Sequence, residues 1–332
     1  MALRWGIASA GRISHDFVAA LKTLPADEHE VVAVAARNHE NSLEFAKTHG
    51  IQKAYEGYLD LATDVSVDVV YIGTINTQHL YLTKLMLEHG KHVLCEKPLT
   101  INSTQTKELI EYAKSKNLFL MEAIWSRCFP VYKELTHQLK MGTIGDVLYV
   151  NVTFGVPIDK VPRVSLKKMG GGGILDIGIY TLQFVQYIYR GVKPLKVCAT
   201  GHLNSQEVDE MANGLLLYPD GKSAVVSCCT KTLYPNEAVV VGTKGQIVIP
   251  TFWCPSKLIT PEKTFEYEIP KPGVQLNFQN SGGLAYEADE VRRCIKAGLI
   301  ESPMLPHSES IELSEMMDSF RNDLGVIYPE DI

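Results

Sequence analysis

Lys97 has the residue type and the setting of a cation that assists chemistry on a bound ligand. It follows a short apolar, β-prone run at residues 92–95, and Pro98 comes directly after it. Because Pro98 has no backbone N–H and disfavours a helical conformation at the preceding residue, the lysine is expected in a stiff turn that ends a strand. Ligands bind at the carboxyl ends of strands in open α/β sheets. Lys97 is therefore either a placed cation or a solvated loop charge.

Tyr180 and Asp176 lie four residues apart in the apolar segment 174–189, which follows the glycine run 170–173. The segment is predicted to be a helix buried on nearly all sides, so the two side chains share one face, a turn apart. The glycines allow another backbone or a ligand to come close to the helix start. The alternative for Tyr180 is a core tyrosine with a hydrogen-bonded hydroxyl.

A dinucleotide site is indicated by the turn Gly-Ile-Ala-Ser-Ala-Gly at residues 6–11, which follows a short apolar strand. It is one substitution from the Gly-x-Gly-x-x-Gly fingerprint: Gly6 would make the tight turn, Ala8 would face the pyrophosphate, and Gly11 would let the next helix pack on the strand. A helix predicted over residues 12–23 would offer its first amides to the phosphates. The candidate contacts are Gly6, Ala8, Gly11, Arg12 and Ile13.

The end of the second strand, residues 31–37, favours NADP over NAD. A fold of this kind usually has an acidic residue there for the ribose hydroxyls of NAD. Here Arg37 and Asn38 follow Ala36, and the planar guanidinium of an arginine suits a 2′-phosphate. NAD remains possible as a weaker cofactor, and the alternative for Arg37 is an ordinary surface charge.

A polar turn after the apolar strand 68–73 supplies further cofactor candidates. Thr74, Asn76 and His79 are placed to contact a ribose or the nicotinamide, and Glu96 and Lys97 occupy the corresponding position after the next strand. The turn could equally cap the helix predicted over residues 78–89, with Thr77 as N-cap. His79 fits a helix-start residue better than a catalyst.

Length and composition bound the remaining possibilities. The chain has 332 residues, 45% apolar and 21% charged, with a net charge of −6, as in ordinary globular proteins. No clustered basic block points to nucleic acid, and no apolar run reaches the roughly 18 residues of a membrane span. Seven scattered cysteines form no metal-ligand spacing, so we expect no metal and a cytoplasmic location with reduced thiols.

Two domains are expected: a dinucleotide-binding domain at 1–123 and a substrate-binding and dimerisation domain at 124–332. The first alternates strands and helices, which indicates a doubly wound parallel sheet. The second is predicted to be α+β, with a large, mainly antiparallel open sheet from 195 to 268. Because such a sheet needs cover on both faces, a homodimer through it is expected. The C-terminal helices, 284–298 and 308–324, are candidates to pack back on the first domain.

The stretches GIASAGRI at 6–13, CEKPL at 95–99 and GGILDIGIY at 172–180 resemble the Gfo/Idh/MocA oxidoreductase family over essentially the whole chain. The resemblance implies an N-terminal Rossmann domain and assigns Lys97 and Tyr180 to catalysis. It implies trans-dihydrodiols of aromatic hydrocarbons, or pentoses such as D-xylose, as small-molecule substrates oxidised with NADP. Relatives that use NADP often have a second basic residue beyond Arg37, where this chain has Asn41.

The chemistry agrees with that assignment. Tyrosine, with a pKa of about 10, is a poor base at neutral pH, and a cation within about 4–6 Å lowers that pKa. Tyr180 would take the hydroxyl proton as hydride leaves, Lys97 would favour the phenolate, and Asp176 would orient Lys97 or a substrate hydroxyl. The candidate substrate contacts are Trp125, Phe154, Phe278 and Gln279.

Two alternatives stay open. One is another sugar or polyol dehydrogenase of the same family, of the glucose–fructose oxidoreductase type. The other is a non-catalytic nucleotide-binding regulator, which needs the glycine turn but not both Lys97 and Tyr180.

Overall fold

The structure, a computed structural model, describes all 332 residues, and its contacts divide the chain into two compact units. The first unit comprises Met1–Leu99, Thr104–Cys128 and Ile269–His307. The second comprises Thr100–Ser103, Phe129–Glu268 and Ser308–Ile332. The segment 269–307 thus belongs with the first unit, although it follows the second unit's strands in the chain. The expected domain boundary after residue 123 stays a prediction. No helix is both long and apolar enough to cross a membrane.

The elements follow the order that the sequence predicts. The strands are β1 (Leu3–Ala8), β2 (His29–Ala36), β3 (Lys53–Glu56), β4 (Val69–Ile72), β5 (His92–Glu96), β6 (Leu120–Ala123), β7 (Val147–Gly155), β8 (Lys196–Leu203), β9 (Asp209–Leu217), β10 (Ser223–Cys229), β11 (Glu237–Gly242), β12 (Gly245–Pro250), β13 (Lys257–Ile259) and β14 (Thr264–Glu266). The helices are α1 (Arg12–Leu21), α2 (His39–His49), α3 (Leu59–Thr63), α4 (His79–Glu88), α5 (Ser103–Lys116), α6 (Pro130–Lys140), α7 (Pro162–Ser165), α8 (Ile179–Ile188), α9 (Leu284–Lys296) and α10 (His307–Leu324).

The first unit contains a six-stranded sheet in the order β3-β2-β1-β4-β5-β6, and every pair of neighbouring strands is parallel. This confirms the doubly wound α/β class. Strand β4 is buried throughout, as expected for a strand covered on both faces. The ring of Phe17 on α1 stacks on Tyr71 of β4 with centroids 3.8 Å apart, which fixes α1 against the sheet. Helix α9 also packs on α1.

The second unit contains an eight-stranded sheet in the order β14-β13-β12-β11-β7-β10-β9-β8. Only the β7–β10 pair is parallel, which confirms the mainly antiparallel class. Side chains alternate along the strands: Val150 and Val152 of β7 are fully buried, whereas Tyr149 and Asn151 are half-exposed. One face of the sheet is therefore core, and helix α8 packs on β7 and β10.

The helix predicted over 174–189 is present, but its first turn differs. Residues Ile174–Gly178 form a π-helical turn and α8 continues from Ile179. π-Helical turns are rare overall, but those that occur are often found at functional sites. The start of the 78–89 helix also differs. A 3₁₀ turn at Asn76–Gln78 leads into α4, and no side chain caps it, so Thr77 is not an N-cap.

Candidate active site

The carboxyl edge of the first unit's sheet gathers the predicted nucleotide-binding residues. Strands β2, β1, β4 and β5 are successive neighbours and all end at that edge. Parallel strands bring the loops that follow them to one side of the sheet. Their next loops carry, in order, Arg37, the glycine turn, Thr74 with Asn76, and Lys97.

The glycine turn begins later than the sequence suggests. Gly6 lies inside β1, and a Cβ there would lie 2.9 Å from Leu61 Cδ1, so this glycine serves core packing rather than the turn. The interpretation of Gly6 as the turn residue is wrong. The chain turns at Ser9, whose φ of 114° is rare for a residue with a side chain. Such backbone strain is concentrated at functional sites.

The N-terminus of α1 is open to an anion. The N-cap residue, Gly11, has no side chain that could accept a hydrogen bond from the first amides, and the first turn of the helix holds no acidic residue. The first amides of the helix are thus left for another acceptor, at the positive end of the helix dipole. The buried Oγ1 of Thr74, across the edge, makes no hydrogen bond within the chain. An uncapped helix start and an unsatisfied hydroxyl at one sheet edge fit the phosphates and ribose of a dinucleotide.

Arg12 is fixed by the segment after residue 276. Its Nε donates to Asn277 Oδ1 over 3.1 Å, and its guanidinium lies 5.3 Å from the centre of the Phe278 ring. The buried carboxylate of Asp16 accepts from the Asn277 and Phe278 amides and from the Ser281 hydroxyl. Phe278 and the exposed Gln279, predicted as substrate contacts, therefore sit beside the first turn of α1. Sequence reasoning missed the anchoring role of Asp16.

The end of β2 offers an exposed cation. Arg37 is exposed and forms no ion pair, while the neighbouring Asn38 side chain accepts from the Asn41 amide and caps α2. An open pocket of about 580 Å³ is lined by Gly11, Arg12 and Asn41, among other residues. Asn41 and the glycine turn thus face the same space.

His79 connects two loops of the sheet edge. Its Nδ1 lies 2.7 Å from the Pro98 carbonyl oxygen and its Nε2 lies 3.2 Å from the Thr74 carbonyl oxygen. The ring is completely buried, and burial lowers its pKa. A neutral ring has one N–H, so it donates to only one of these two oxygens, and the shorter distance favours that of Pro98. His79 therefore lies between the loops that carry Thr74 and Lys97, in keeping with its expected place at the helix start.

Glu96 is the last residue of β5 and Lys97 follows it. Buried polar side chains surround this strand end. The Tyr71 hydroxyl donates to Glu96 Oε1 over 2.6 Å, which fixes the carboxylate next to the lysine. The Lys97–Pro98 peptide is cis. Sequence reasoning missed Glu287 of α9, whose carboxyl is fully buried without a hydrogen-bond partner. Burial, and then the Glu96 charge, raise the pKa of Glu287 well above its usual range.

In the second unit Tyr180 contacts the edge of an aromatic cluster. The Phe154 ring meets the Tyr180 ring edge to face at 6.0 Å and stacks on Trp253 at 4.1 Å. Tyr180 is 8% exposed and Phe154 4%. Trp253 was not singled out as a substrate contact by its sequence position, and Trp125, which was, lies buried in the first unit.

Asp176 is paired with a cation from the loop before its helix. Arg163 Nη1 lies 2.5 Å from Asp176 Oδ1, and the Asp176 side chain is 8% exposed against 44% for Arg163. A charge-assisted hydrogen bond of this kind holds the carboxylate in one orientation. The sequence provides no spacing signal for this pair.

One group of possible metal ligands lies away from these residues. Glu28, His29 and Asp289 approach one another within 4.8 Å. The Trp5 indole donates to His29 Nδ1, so a neutral His29 carries its proton on Nε2, the nitrogen that faces Asp289. A metal would need the lone pair of that same nitrogen. The group does not fit a metal site.

Comparison with protein families decides the identity of the fold. Residues 3–124 match the Gfo/Idh/MocA model described as an oxidoreductase family with an NAD-binding Rossmann fold. Residues 132–248 match the C-terminal domain model of the same family. This chain belongs to the Gfo/Idh/MocA oxidoreductase family. The resemblance that the three sequence stretches suggest is confirmed.

Relatives extend over the full length. The trans-1,2-dihydrobenzene-1,2-diol dehydrogenase of Xenopus laevis is 46% identical over 330 residues, covering 99% of this chain and 100% of that protein. The human protein of the same name is 43% identical over 332 residues, covering 100% and 99%. Among solved structures, a levoglucosan dehydrogenase complexed with NADH and levoglucosan superposes with a TM-score of 0.84 at 20% identity, covering 98% of each chain. A 3-ketoreductase of Actinomadura kijaniata with NADP and TDP-benzene gives 0.82 at 22%, also covering 98% of each.

Proposed function

We propose that this oxidoreductase is an NADP-dependent dehydrogenase of trans-dihydrodiols of aromatic hydrocarbons, with pentoses such as D-xylose as further substrates. The observation that carries the proposal is the full-length identity of 46% to a trans-1,2-dihydrobenzene-1,2-diol dehydrogenase. The aromatic rings beside Tyr180 support it, because they suit the apolar ring face of a cyclic diol and the carbon face of a sugar.

Tyr180 is the proposed general base. Its hydroxyl oxygen takes the proton of the substrate hydroxyl during oxidation and returns it in the reverse direction, a role that typically contributes about 10²–10⁴-fold. The Lys97 ammonium favours the phenolate form of Tyr180. The bound nicotinamide supplies the hydride acceptor. Asp176, oriented by Arg163, holds Lys97 or a substrate hydroxyl in position.

The dinucleotide is proposed to lie along the carboxyl edge of the first unit's sheet. The amides of Gly11, Arg12 and Ile13 face its phosphates at the open start of α1. Thr74 and Asn76 contact the ribose next to the nicotinamide, within reach of Lys97 and Glu96. Ala8 borders the turn. Trp125 and Phe154 are the proposed substrate contacts, and Trp253 joins them because it stacks on Phe154. Phe278 and Gln279 are proposed to border the cofactor through Arg12.

The test is a substrate panel read by the absorbance of reduced nicotinamide. Purified protein is assayed with trans-dihydrodiols, pentoses, hexoses and other polyols, each with NADP and NAD. The proposal expects the highest kcat/KM for a trans-dihydrodiol with NADP, with D-xylose also oxidised. Preference for a hexose or another polyol would favour the glucose–fructose oxidoreductase type. Binding of NADPH without turnover of any compound would favour a nucleotide-binding regulator.

The choice of NADP rests on Arg37, because an exposed guanidinium without an ion pair is available to a 2′-phosphate. Arg37→Ala is expected to weaken NADPH binding about tenfold and to leave NADH binding unchanged, a loss of about 1.4 kcal/mol. Asn41→Arg adds a second cation at the pocket and is expected to strengthen NADPH binding about as much. Fluorescence titration measures both, and equal effects on NADH and NADPH would contradict the choice.

A homodimer through the second unit's sheet is also proposed. A mostly apolar row of side chains on its open face runs across six strands, one residue on each: Cys198, Leu215, Val225, the polar Asn151, Val239 and Val248. The row is half-exposed or exposed, with Leu215 at 42%. An apolar sheet face of this extent is covered in stable proteins.

Leu215→Glu is expected to shift the protein to monomer in sedimentation at micromolar concentration. The matched control is Leu59→Glu, because Leu59 is a leucine of the first unit, on a helix, that is even more exposed, at 56%. A wild-type protein that sediments only as monomer would reject the dimer.

A cytosolic location is proposed from the scattered cysteines, and cell fractionation tests it.

A further inference from the structure

The glycine run before the catalytic helix passes against two buried side chains. Gly172 has a φ of 125°, and a Cβ there would lie 2.6 Å from Asp209 Oδ1 and 2.8 Å from the Tyr328 hydroxyl oxygen. A Cβ on Gly173 would lie 3.1 Å from Asp209 Oδ2. These glycines admit two polar groups to the start of the helix, not only a close backbone.

Asp209 caps that helix from a distant strand. It begins β9 and is 1% exposed, and the Ile174 amide donates to its Oδ2 over 2.6 Å. The Gly173 amide also favours the charged carboxylate. No residue adjacent in sequence caps the helix with its side chain. A carboxylate at this end satisfies amides that the helix leaves open and interacts favourably with its dipole.

Tyr328 closes the other side of the same junction. Its hydroxyl donates to the Gly171 carbonyl, and its ring lies under the Arg321 guanidinium at 5.1 Å. Arg321 is in turn held by Asp318 and Asp331. The buried Tyr328 side chain therefore fixes the backbone at Gly171, the residue before the glycine that faces Asp209.

We propose that Asp209, with Tyr328 behind it, is a positioning residue for Tyr180 and Asp176. The cap holds the π-helical turn at Ile174–Gly178, which sets the direction of the two side chains. Asp176 lies two residues and Tyr180 six residues beyond the capped amide. The inference rests on the proposed function, since it treats Tyr180 as the base. Loss of the cap lets the turn relax, and displacements of about 1 Å at reacting groups cost about 10²-fold in rate.

The experiment compares Asp209→Ala, Asp209→Asn and Tyr328→Phe. Asp209→Ala is expected to lower kcat about 100-fold. Asp209→Asn keeps an acceptor oxygen, so its kcat is expected to fall only about tenfold below wild type. Tyr328→Phe is expected to lower kcat by less than that. NADPH affinity, measured by fluorescence, and the KM of the diol are expected to stay within about twofold, because their contacts are not changed. The matched control is Asp220→Asn in an exposed turn.

Hydrogen exchange of the amides at 173 and 174 gives a readout without turnover. Both are expected to exchange about tenfold faster in Asp209→Asn, so failure of the proposed function would leave this result readable. Unchanged exchange together with wild-type kcat in Asp209→Asn would overturn the proposal. A parallel loss of kcat, NADPH affinity and folded fraction would overturn it too, because that is general destabilisation. If Asp209→Ala does not fold, the other two variants carry the test.

Discussion

The two units hold their functional side chains in different ways. In the first unit these residues follow strand ends of one parallel sheet, and each is placed by its neighbours in the chain, as Lys97 is by β5 before it and Pro98 after it. In the second unit Tyr180 and Asp176 lie on a helix whose start is fixed by Asp209 and Tyr328, both distant in the chain. Strand ends are placed mainly by the sheet, with side chains such as His79 supporting the loops, whereas the start of this helix is anchored by residues far away in the chain.

The difference predicts where function is sensitive. A nucleotide edge built from successive loops can tolerate change in one loop, because neighbouring strands still hold the others. The helix that carries the proposed base Tyr180 is held by one buried cap and one buried hydroxyl, and we expect its geometry to change when either is removed. The predictions below test this contrast, beginning with the reacting groups themselves.

Tyr180→Phe and Lys97→Met are each expected to lower kcat about 1,000-fold. The first removes the proposed base, and the second removes the cation that is proposed to lower the pKa of the Tyr180 hydroxyl. Variants in the two units should differ in their effect on NADPH affinity. Tyr180→Phe is expected to leave it unchanged, whereas Lys97→Met, at the nucleotide edge, is expected to weaken it by a few-fold. Steady-state kinetics and fluorescence titration measure the two effects.

Tyr187→Phe is the matched control, because Tyr187 lies in the same helix and its hydroxyl donates to the Tyr132 carbonyl over 2.8 Å. It should keep kcat within about twofold. Near-normal turnover in either active-site variant would show that the proposed acid–base pair is mistaken.

A methyl group at corresponding glycines should cost more in the second unit than in the first. Gly172→Ala combines a positive φ with a 2.6 Å contact to Asp209, and we expect about 3 kcal/mol lost from the free energy of unfolding. Gly6→Ala meets the end of the Leu61 side chain at 2.9 Å, which can move, so about 1 kcal/mol is expected.

Gly273→Ala is the control for both, since nothing lies within 4 Å of its Cβ position and its φ is not positive. It should change stability by less than about 1 kcal/mol. Urea denaturation measures all three. Equal losses for Gly172→Ala and Gly6→Ala would remove the contrast between the units.

The smallest effect concerns the pH dependence of stability. Burial raises the pKa of Asp209 to about 6. Between pH 4 and that value the folded state binds a proton that the unfolded state has released, so this group's contribution to stability falls as pH rises, by about 2 kcal/mol. The charged and titratable groups around it are Tyr328, Arg321 and Cys228.

Asp209→Asn should abolish that component. The test measures the free energy of unfolding of wild type and variant at pH 4.5 and at pH 7.5, and compares the change between the two pH values. A hydrogen bond lost in the variant affects both pH values equally, so it cancels in this difference. The same pH dependence in both proteins would mean that Asp209 does not titrate in this range.

Much of the architecture is predictable because it depends on local patterns. Alternating strands and helices before residue 124, and alternating apolar residues in β7 to β12, predict both sheets within a few residues. Local rules failed where tertiary contacts decided the conformation. Gly6 resembles a turn glycine but is needed for Leu61, and Thr77 resembles a cap but lies in a 3₁₀ turn.

The site was predictable in its parts but not in its supports. Lys97 and Tyr180 stand in recognisable stretches, whereas Asp209 lies in a polar segment after β8 that carries no periodic signal. Glu287 and Asp16 are acids on amphipathic helices, where most acids face solvent, yet both are fully buried. Their burial depends on which helix faces meet, and this is not a property of the local sequence.

The sequence by itself determined the two sheet classes, because strand periodicity, proline and glycine act on their immediate neighbours. The family resemblance added the candidate lysine–tyrosine pair. The tertiary structure alone decided that Ser9 makes the turn, that His79 joins two loops, and that Asp209 caps the helix of Tyr180. Each of these depends on hydrogen bonds between segments that only packing brings within about 3 Å.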